Sequence, residues 1–215
     1  MGGLVVRRTK NEALVTREKI LDAAEWCYRT YGVSRTTMVL IAARADCTRG
    51  AIYWHFSKPL NIFQAVLDRG RIPLLERLRD VSLASPPVMP RLRQCLYQCL
   101  CDIQDNERVR NVLEILAFRY DFAGDTLLFR ELQQYEAERM MILLRHIFAD
   151  AKKAGELRDL CPASCASLVG FALVGAVRLY LMGPVEADSM QEARGALDLA
   201  FELVQADGYR SGFVG

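Results

Sequence analysis

The chain has few histidines, no export signal and no unbroken apolar run of membrane length, and each shortage removes a class of function. Only two histidines stand among 215 residues. A histidine-centred metal site or acid–base centre therefore needs partners from elsewhere. No Ser/His/Asp set, paired CxxC or phosphate-cradling glycine loop supplies them. Neither a cofactor nor an enzymatic activity is expected. The first 20 residues carry too many charges for a secretory signal. The most apolar stretch, LVGFALVGAVRLYLM (Leu168 to Met182), contains Arg178 and is too short to span a bilayer, so it reads as a buried helix with no membrane partner. Internal repeats, low-complexity tracts and the alternation of strands are missing too. What is present is 52% hydrophobic and 25% charged residues, the balance of a soluble globular protein with a sizeable core.

The cysteines do not form a framework. Seven of them, an odd number without an export signal, read as reduced thiols in a cytoplasm. On a helix, Cys95 and Cys99 share a face with Leu92 and Leu96, while Cys101 points to nearly the opposite side. No nearby histidine completes a zinc set. Buried thiols are the simplest reading. A thiol-based redox sensor is the alternative.

Charge is unevenly spread. Residues 1–80 hold 14 Lys+Arg against 8 Asp+Glu, a net of +6, and the remainder holds 14 against 18, a net of −4. A basic front suits a polyanionic partner, although chance fluctuation would look the same. Along the chain the periodicity predicts helix after helix. MGGLVV reads as an unstructured start and RRTK (Arg7 to Lys10) as a basic arm. Thr16 is placed to cap a helix over 16–31 that turns Ile20, Leu21, Ala24, Cys27, Tyr28 and Tyr31 inward and stops at Gly32. A short helix over 37–45, the turn ADC and a second short helix over 48–55 make a helix-turn-helix. Residues 59–80 read as one helix bent near Gly70 and Pro73. SPPVMP (Ser85 to Pro90) is the clearest break. Helices then follow over about 90–104, 106–121, 125–154, 162–182 and 189–206, punctuated by Gly155, Gly183-Pro184 and Asp188-Ser189.

The stretch TRGAIYWHF (Thr48 to Phe56) carries the functional signal. As a helix it is capped by Thr48, at an end where free N–H groups favour a phosphate. Arg49 points outward, with a fork that matches the O6/N7 edge of guanine. Gly50 costs roughly 1 kcal/mol inside a helix, and makes sense where a backbone must approach another surface closely. Ala51 is small enough to meet a thymine methyl. Ile52 and Phe56, four apart, face inward. Tyr53, Trp54 and His55 bring a hydroxyl, an indole N–H and an imidazole toward backbone phosphates. A small helical core with an accidental glycine is the plainer reading. A catalytic one lacks a partner for His55 in the sequence.

Residues Thr16 to Phe63, TREKILDAAEWCYRTYGVSRTTMVLIAARADCTRGAIYWHFSKPLNIF, resemble the TetR family of bacterial repressors, most specifically in TRGAIYWHF. The arm RRTKNEA is similar to the AcrR-like, multidrug-efflux branch. The resemblance covers the first third of the chain and beyond it is architectural. It implies an all-α fold, with a basic arm (1–15), a helix-turn-helix domain (16–60), a connecting helix (61–84) and a ligand-binding and dimerisation domain (85–215). It implies a homodimer on near-palindromic, double-stranded operator DNA. Thr48, Arg49, Gly50, Ala51, Tyr53, Trp54 and His55 would form the DNA face, with phosphate contacts from Thr36 or Thr37. Three positions depart from the family pattern. Asp46 stands where glycine is common, and Asp tolerates the left-handed backbone better than most residues. Pro59 stands where a phosphate-binding lysine is usual, leaving Lys58 to reach that phosphate. Val39 and Leu40 stand where acidic or polar residues are common.

In the C-terminal half, one helix carries Ala166, Gly170, Val174, Gly175 and Ala176, and the last carries Ala193, Ala196, Leu197, Ala200, Leu203 and Val204. The resemblance implies that these two helices pair with their mates as a four-helix bundle. Packing within one chain would leave a similar pattern. The middle helices would surround a pocket for a small hydrophobic inducer. VLEILAFRYDF (Val112 to Phe122) supplies Leu113, Ala117 and Phe118, joined by Phe171 and Val174 and by Cys99 and Met141. Ordinary core is the simpler reading of these residues.

Overall fold

Apolar residues at three and four give helices throughout. The computed structural model describes residues 10–119, 127–183 and 187–206, and among them no strand forms. Arg7, Arg8, Asp121, Phe122 and Pro184 lie outside the described residues. The elements run α1 (Lys10–Tyr31), α2 (Met38–Arg44), α3 (Arg49–His55), α4 (Pro59–Arg69), α5 (Leu74–Ser82), α6 (Met89–Asp105), α7 (Glu107–Phe118), α8 (Leu127–Lys153), α9 (Pro162–Met182) and α10 (Ala187–Val204).

Two of these differ from the sequence expectation for local reasons. α1 starts at Lys10, ahead of Thr16, because nothing between them interrupts a helix. Thr16 therefore caps nothing, and its hydroxyl donates to the Glu12 carbonyl at 2.9 Å. Residues 59–80 form two helices rather than one bent helix. Pro73 lacks the N–H that would carry the ladder past Gly70, so α4 ends and α5 starts afresh.

The chain forms two compact units, residues 1–71 with 111–126, and residues 72–110 with 127–215. In the first, α1 packs on α2, α3 and α4. Ile20, Leu21, Ala24, Cys27 and Tyr28 are buried as their spacing predicts, together with Ile41, Ile52, Phe56, Ile62, Phe63 and Val66. Tyr28 meets Phe63 edge-on at 5.3 Å between ring centroids. Tyr31 is exposed instead of buried and sits edge-on to Trp26. Gly32 stops the helix at φ +84°, where a side chain would be strained. The end of α7 docks on α1 through polar groups. Asn111 Nδ2 donates to Glu25 Oε1 at 2.7 Å, Arg29 pairs with Glu114 at 2.9 Å, and Val33 N donates to the Arg119 carbonyl at 3.0 Å.

In the second unit, α8 packs on α5, α6 and α9, and α10 on α6 and α9. Leu92, Leu96, Leu100 and Ile103 of α6 share its core with Leu144, Ile147 and Phe148 of α8 and with Phe201 of α10. SPPVMP links α5 to α6 inside this unit. Glu156, fully buried, holds the start of α6: its two carboxyl oxygens accept from Val88 N at 2.9 Å and Met89 N at 2.8 Å. These are donors that a helix start leaves free.

α9 spans the expected 162–182, but it is not buried all round. Its 21 residues are long and apolar enough to cross a membrane by length and composition, a test that a core helix of a soluble protein also passes. Only one face is covered. Ala166, Val169, Gly170 and Leu173 are buried, while Leu168, Phe171, Val174, Leu179 and Met182 are exposed. The small residues likewise divide between two faces. A Cβ on Gly170 would lie 2.9 Å from Met141 Sδ, so this glycine admits α8 closely within the chain. Ala193, Leu197, Ala200 and Val204 are also buried within the chain, while Val174, Gly175, Ala196 and Leu203 face outward.

Candidate nucleic-acid interface

The site is built by two caps and a tight turn. Thr37 caps α2, its Oγ1 accepting from Leu40 N at 3.2 Å. Cys47 N donates to the Ala42 carbonyl at 3.0 Å across the turn, and Asp46 takes φ 51°, the left-handed conformation expected of it. Thr48 then caps α3, its Oγ1 accepting from Ala51 N at 3.1 Å. Each cap satisfies a donor that a helix start leaves free and fixes where the helix begins.

α3 is anchored from one side. Ile52 is fully buried and Phe56 nearly so, which turns the opposite side outward. Arg49, Gly50, Tyr53 and Trp54 are exposed, with Trp54 73% exposed, and Ala51 and His55 are half-buried. The Arg49 guanidinium stands 5.8 Å from the centroid of the Tyr53 ring, and Trp54 and His55 meet edge-on at 4.5 Å. A Cβ on Gly50 would meet only Thr48 Oγ1, at 3.8 Å, so nothing inside the chain requires a glycine there.

The neighbouring positions sort themselves. Thr36 donates its hydroxyl to the Gly32 carbonyl at 2.8 Å, at the end of α1, so Thr37 rather than Thr36 stands at the start of α2. Lys58 is exposed at the cap of α4, and Pro59 takes that helix's first position, as a residue without an N–H can. Val39 and Leu40 are exposed beside Thr37. The sequence did not single out Arg44. Its guanidinium lies 4.5 Å from the Trp26 ring centroid and ties the end of α2 to α1. That pair joins two different helices, so no periodicity within one helix reveals it.

The expected pocket residues do not gather in one unit. Leu113, Ala117 and Phe118 are half-buried on the part of α7 that belongs to the first unit. Cys99 is buried in the second unit, where Met141 lies half-buried against Gly170. Phe171 and Val174 are on the outward face of α9, Phe171 with 68% exposure. Burial pushes the thiols of Cys95 up to about 11 and of Cys99 up to about 12, and raises Cys27 and Cys165 as well. Cys161, exposed at the cap of α9, is lowered by the backbone N–H groups of Ser164 and Ala163. Among the described residues no three His, Cys, Asp or Glu side chains gather as a metal site.

Two short, capped helices across a left-handed turn, the second anchored from one side and open on the other, define a helix-turn-helix DNA-binding module. The profile of bacterial regulatory proteins of the tetR family matches residues 20–66, which contain it. The chain is 32% identical over 204 residues to the transcriptional regulator TtgR of Pseudomonas putida, covering 94% of this chain and 97% of that one. Its fold matches the crystal structure of NalD, the secondary repressor of the MexAB-OprM multidrug efflux pump in Pseudomonas aeruginosa. The TM-score is 0.76 at 27% identity, over 92% of this chain and 100% of that one. A complex of SmeT, from Stenotrophomonas maltophilia, with triclosan matches at TM-score 0.75 and 30% identity, over 90% of this chain and 93% of that one. The chain belongs to the TetR family of bacterial transcriptional regulators.

Proposed function

We propose that the chain is a repressor that binds a near-palindromic operator as a homodimer, controls a multidrug efflux operon, and leaves DNA when a hydrophobic, drug-like molecule binds its second unit. The observation that carries this reading is the outward face of α3. Arg49, Gly50, Tyr53 and Trp54 face solvent on a helix whose position is fixed by Ile52, Phe56 and the Thr48 cap. Arg49 reads a guanine edge, Ala51 meets a thymine methyl, and Tyr53, Trp54 and His55 bond phosphates. Thr37 and Lys58 add sequence-independent contacts. The efflux assignment leans on the relatives, since NalD is the repressor of such a pump. The inducer class leans on SmeT, whose complex holds triclosan.

A second copy covers the outward faces of α9 and α10. Leu168, Phe171, Val174, Leu179 and Met182 on one helix, with Leu199 and Leu203 on the other, are exposed in the single chain. Large apolar side chains gathered on adjacent helices mark an association surface. Inducer binding then shifts the population toward a state whose two recognition helices no longer match successive major grooves. A cytoplasmic location follows from this role.

The test is fluorescence anisotropy of the purified chain with DNA from upstream of its own gene and with scrambled DNA. The reading requires selective binding that weakens steeply with salt and is relieved by triclosan. Equal, weak binding to both DNAs would contradict it.

A further inference from the structure

Several cations of the first unit are committed to partners inside it. Arg29 of α1 pairs with Glu114, and Arg69 of α4 with Asp22 and Glu18. Arg35 Nε donates to the Tyr31 carbonyl at 2.8 Å, and Arg44 lies over Trp26. Arg17 of α1 is placed differently. Its guanidinium stands 5.3 Å from the centroid of the Phe56 ring, at the residue that closes α3. Among the described residues its hydrogen bond goes to Glu18, the next residue along, at 3.2 Å. Adjacent positions on a helix do not face each other, and Glu18 also meets Arg69 at 3.5 Å. The Arg17–Glu18 pair is open to solvent, so it holds Arg17 only weakly against another anion. The Arg17 side chain is 39% exposed, although the Phe56 ring that it lies over is buried. Packing on a ring orders a guanidinium and leaves its N–H groups to bond elsewhere. In the chain, Phe56 is preceded by His55 and followed by Ser57 and Lys58, both exposed. α1 therefore adds a charge at the end of α3, next to groups already assigned to the DNA.

We propose that Arg17 is a phosphate anchor: its guanidinium, seated over Phe56, bonds a backbone phosphate of the DNA beside the end of α3. The proposal rests on the reading of α3 as the helix that meets the operator. A phosphate is the group such a residue meets, because phosphates line the rim of a groove and base edges lie inside it, where Arg49 is directed. An arginine fork bonds two phosphate oxygens at once. A contact of this kind carries no sequence information, but it fixes how the recognition helix is seated. It also releases condensed counterions, so it is read in the salt dependence of binding. No spacing within α1 points to this role, because the ring that orders Arg17 closes a different helix.

The experiment compares wild type, Arg17→Met and Arg17→Lys in the full chain. Methionine keeps an apolar cover on Phe56 and removes the charge, and lysine keeps the charge. Dissociation constants for DNA from upstream of the gene and for scrambled DNA are measured by fluorescence anisotropy over a series of salt concentrations. For Arg17→Met the slope of log affinity against log salt is expected to fall by about 1 for each recognition unit bound, about 2 for a dimer. Affinity for both DNAs is expected to drop by the same factor, which keeps the preference between them. Arg17→Lys is expected to keep the wild-type slope. An Arg17→Met slope equal to wild type overturns the proposal and leaves the reading of α3 standing, and a loss of affinity at that slope then marks Arg17 as a structural cover for Phe56. A loss confined to the upstream DNA overturns it too, because Arg17 would then act on sequence. An Arg17→Lys slope as low as that of Arg17→Met has the same force, since charge would not be what counts. If wild type binds both DNAs weakly and alike, the operator reading falls and takes this proposal with it.

Discussion

At Gly50 the demands of folding and of docking point in opposite directions. The fold needs neither a left-handed backbone nor the missing side chain there, since a Cβ would make only ordinary contact with Thr48 Oγ1. Gly50→Ala should therefore stabilise the chain by about 0.5–1 kcal/mol in urea unfolding. It should weaken operator binding in the same preparation if the proposed DNA face is the one that carries the added methyl. A variant that gains stability with unchanged affinity would place the DNA elsewhere. Much of this surface was legible in the sequence, because it depends on neighbours three and four positions away. Ile52 and Phe56 fix the inner side, and that alone sets Arg49 and Tyr53 outward. Arg44 on Trp26 was not legible, because the pair is made between two helices. The same holds for the docking of Asn111 on Glu25.

Among the elements, caps and clamps decide where helices begin. Thr48 was legible as a cap because a threonine before a short apolar repeat is a local signal; Thr37, expected as the first residue of its helix, is the cap in front of it. Thr16 carries the same signal and caps nothing, since the residues before it are as helical as those after it. The start of α6 is held by a device with no local signature. Glu156 comes from the far side of α8 and is fully buried beneath Val88 N and Met89 N. Glutamine in its place offers one acceptor and sets an N–H donor against an N–H donor. Glu156→Gln should cost about 1–3 kcal/mol, seen as a lower urea midpoint at unchanged slope. A midpoint equal to wild type would mean that α6 starts without this clamp.

For the whole molecule, the most apolar helix falls in the second unit. The all-α architecture was legible from the 3.6-residue period alone. Which face of α9 meets its own chain was not, because both faces are apolar and small residues occur on each. Gly170 resolves one side by admitting Met141, and Phe171 and Leu179 are left outward. Phe171→Asp should turn a dimer into a monomer in analytical ultracentrifugation and lower operator affinity, while leaving helix content unchanged. A variant that stays dimeric would remove the outward face of α9 from the interface.

The central claim is that α3 reads operator sequence through Arg49. The most direct measurement compares wild type with Arg49→Ala on operators in which each base pair is changed in turn, followed by fluorescence anisotropy. The account predicts a loss of about 1–3 kcal/mol at one position of each half-site, with preference relaxed there and kept elsewhere. Unchanged affinity and an unchanged preference at every position would contradict it.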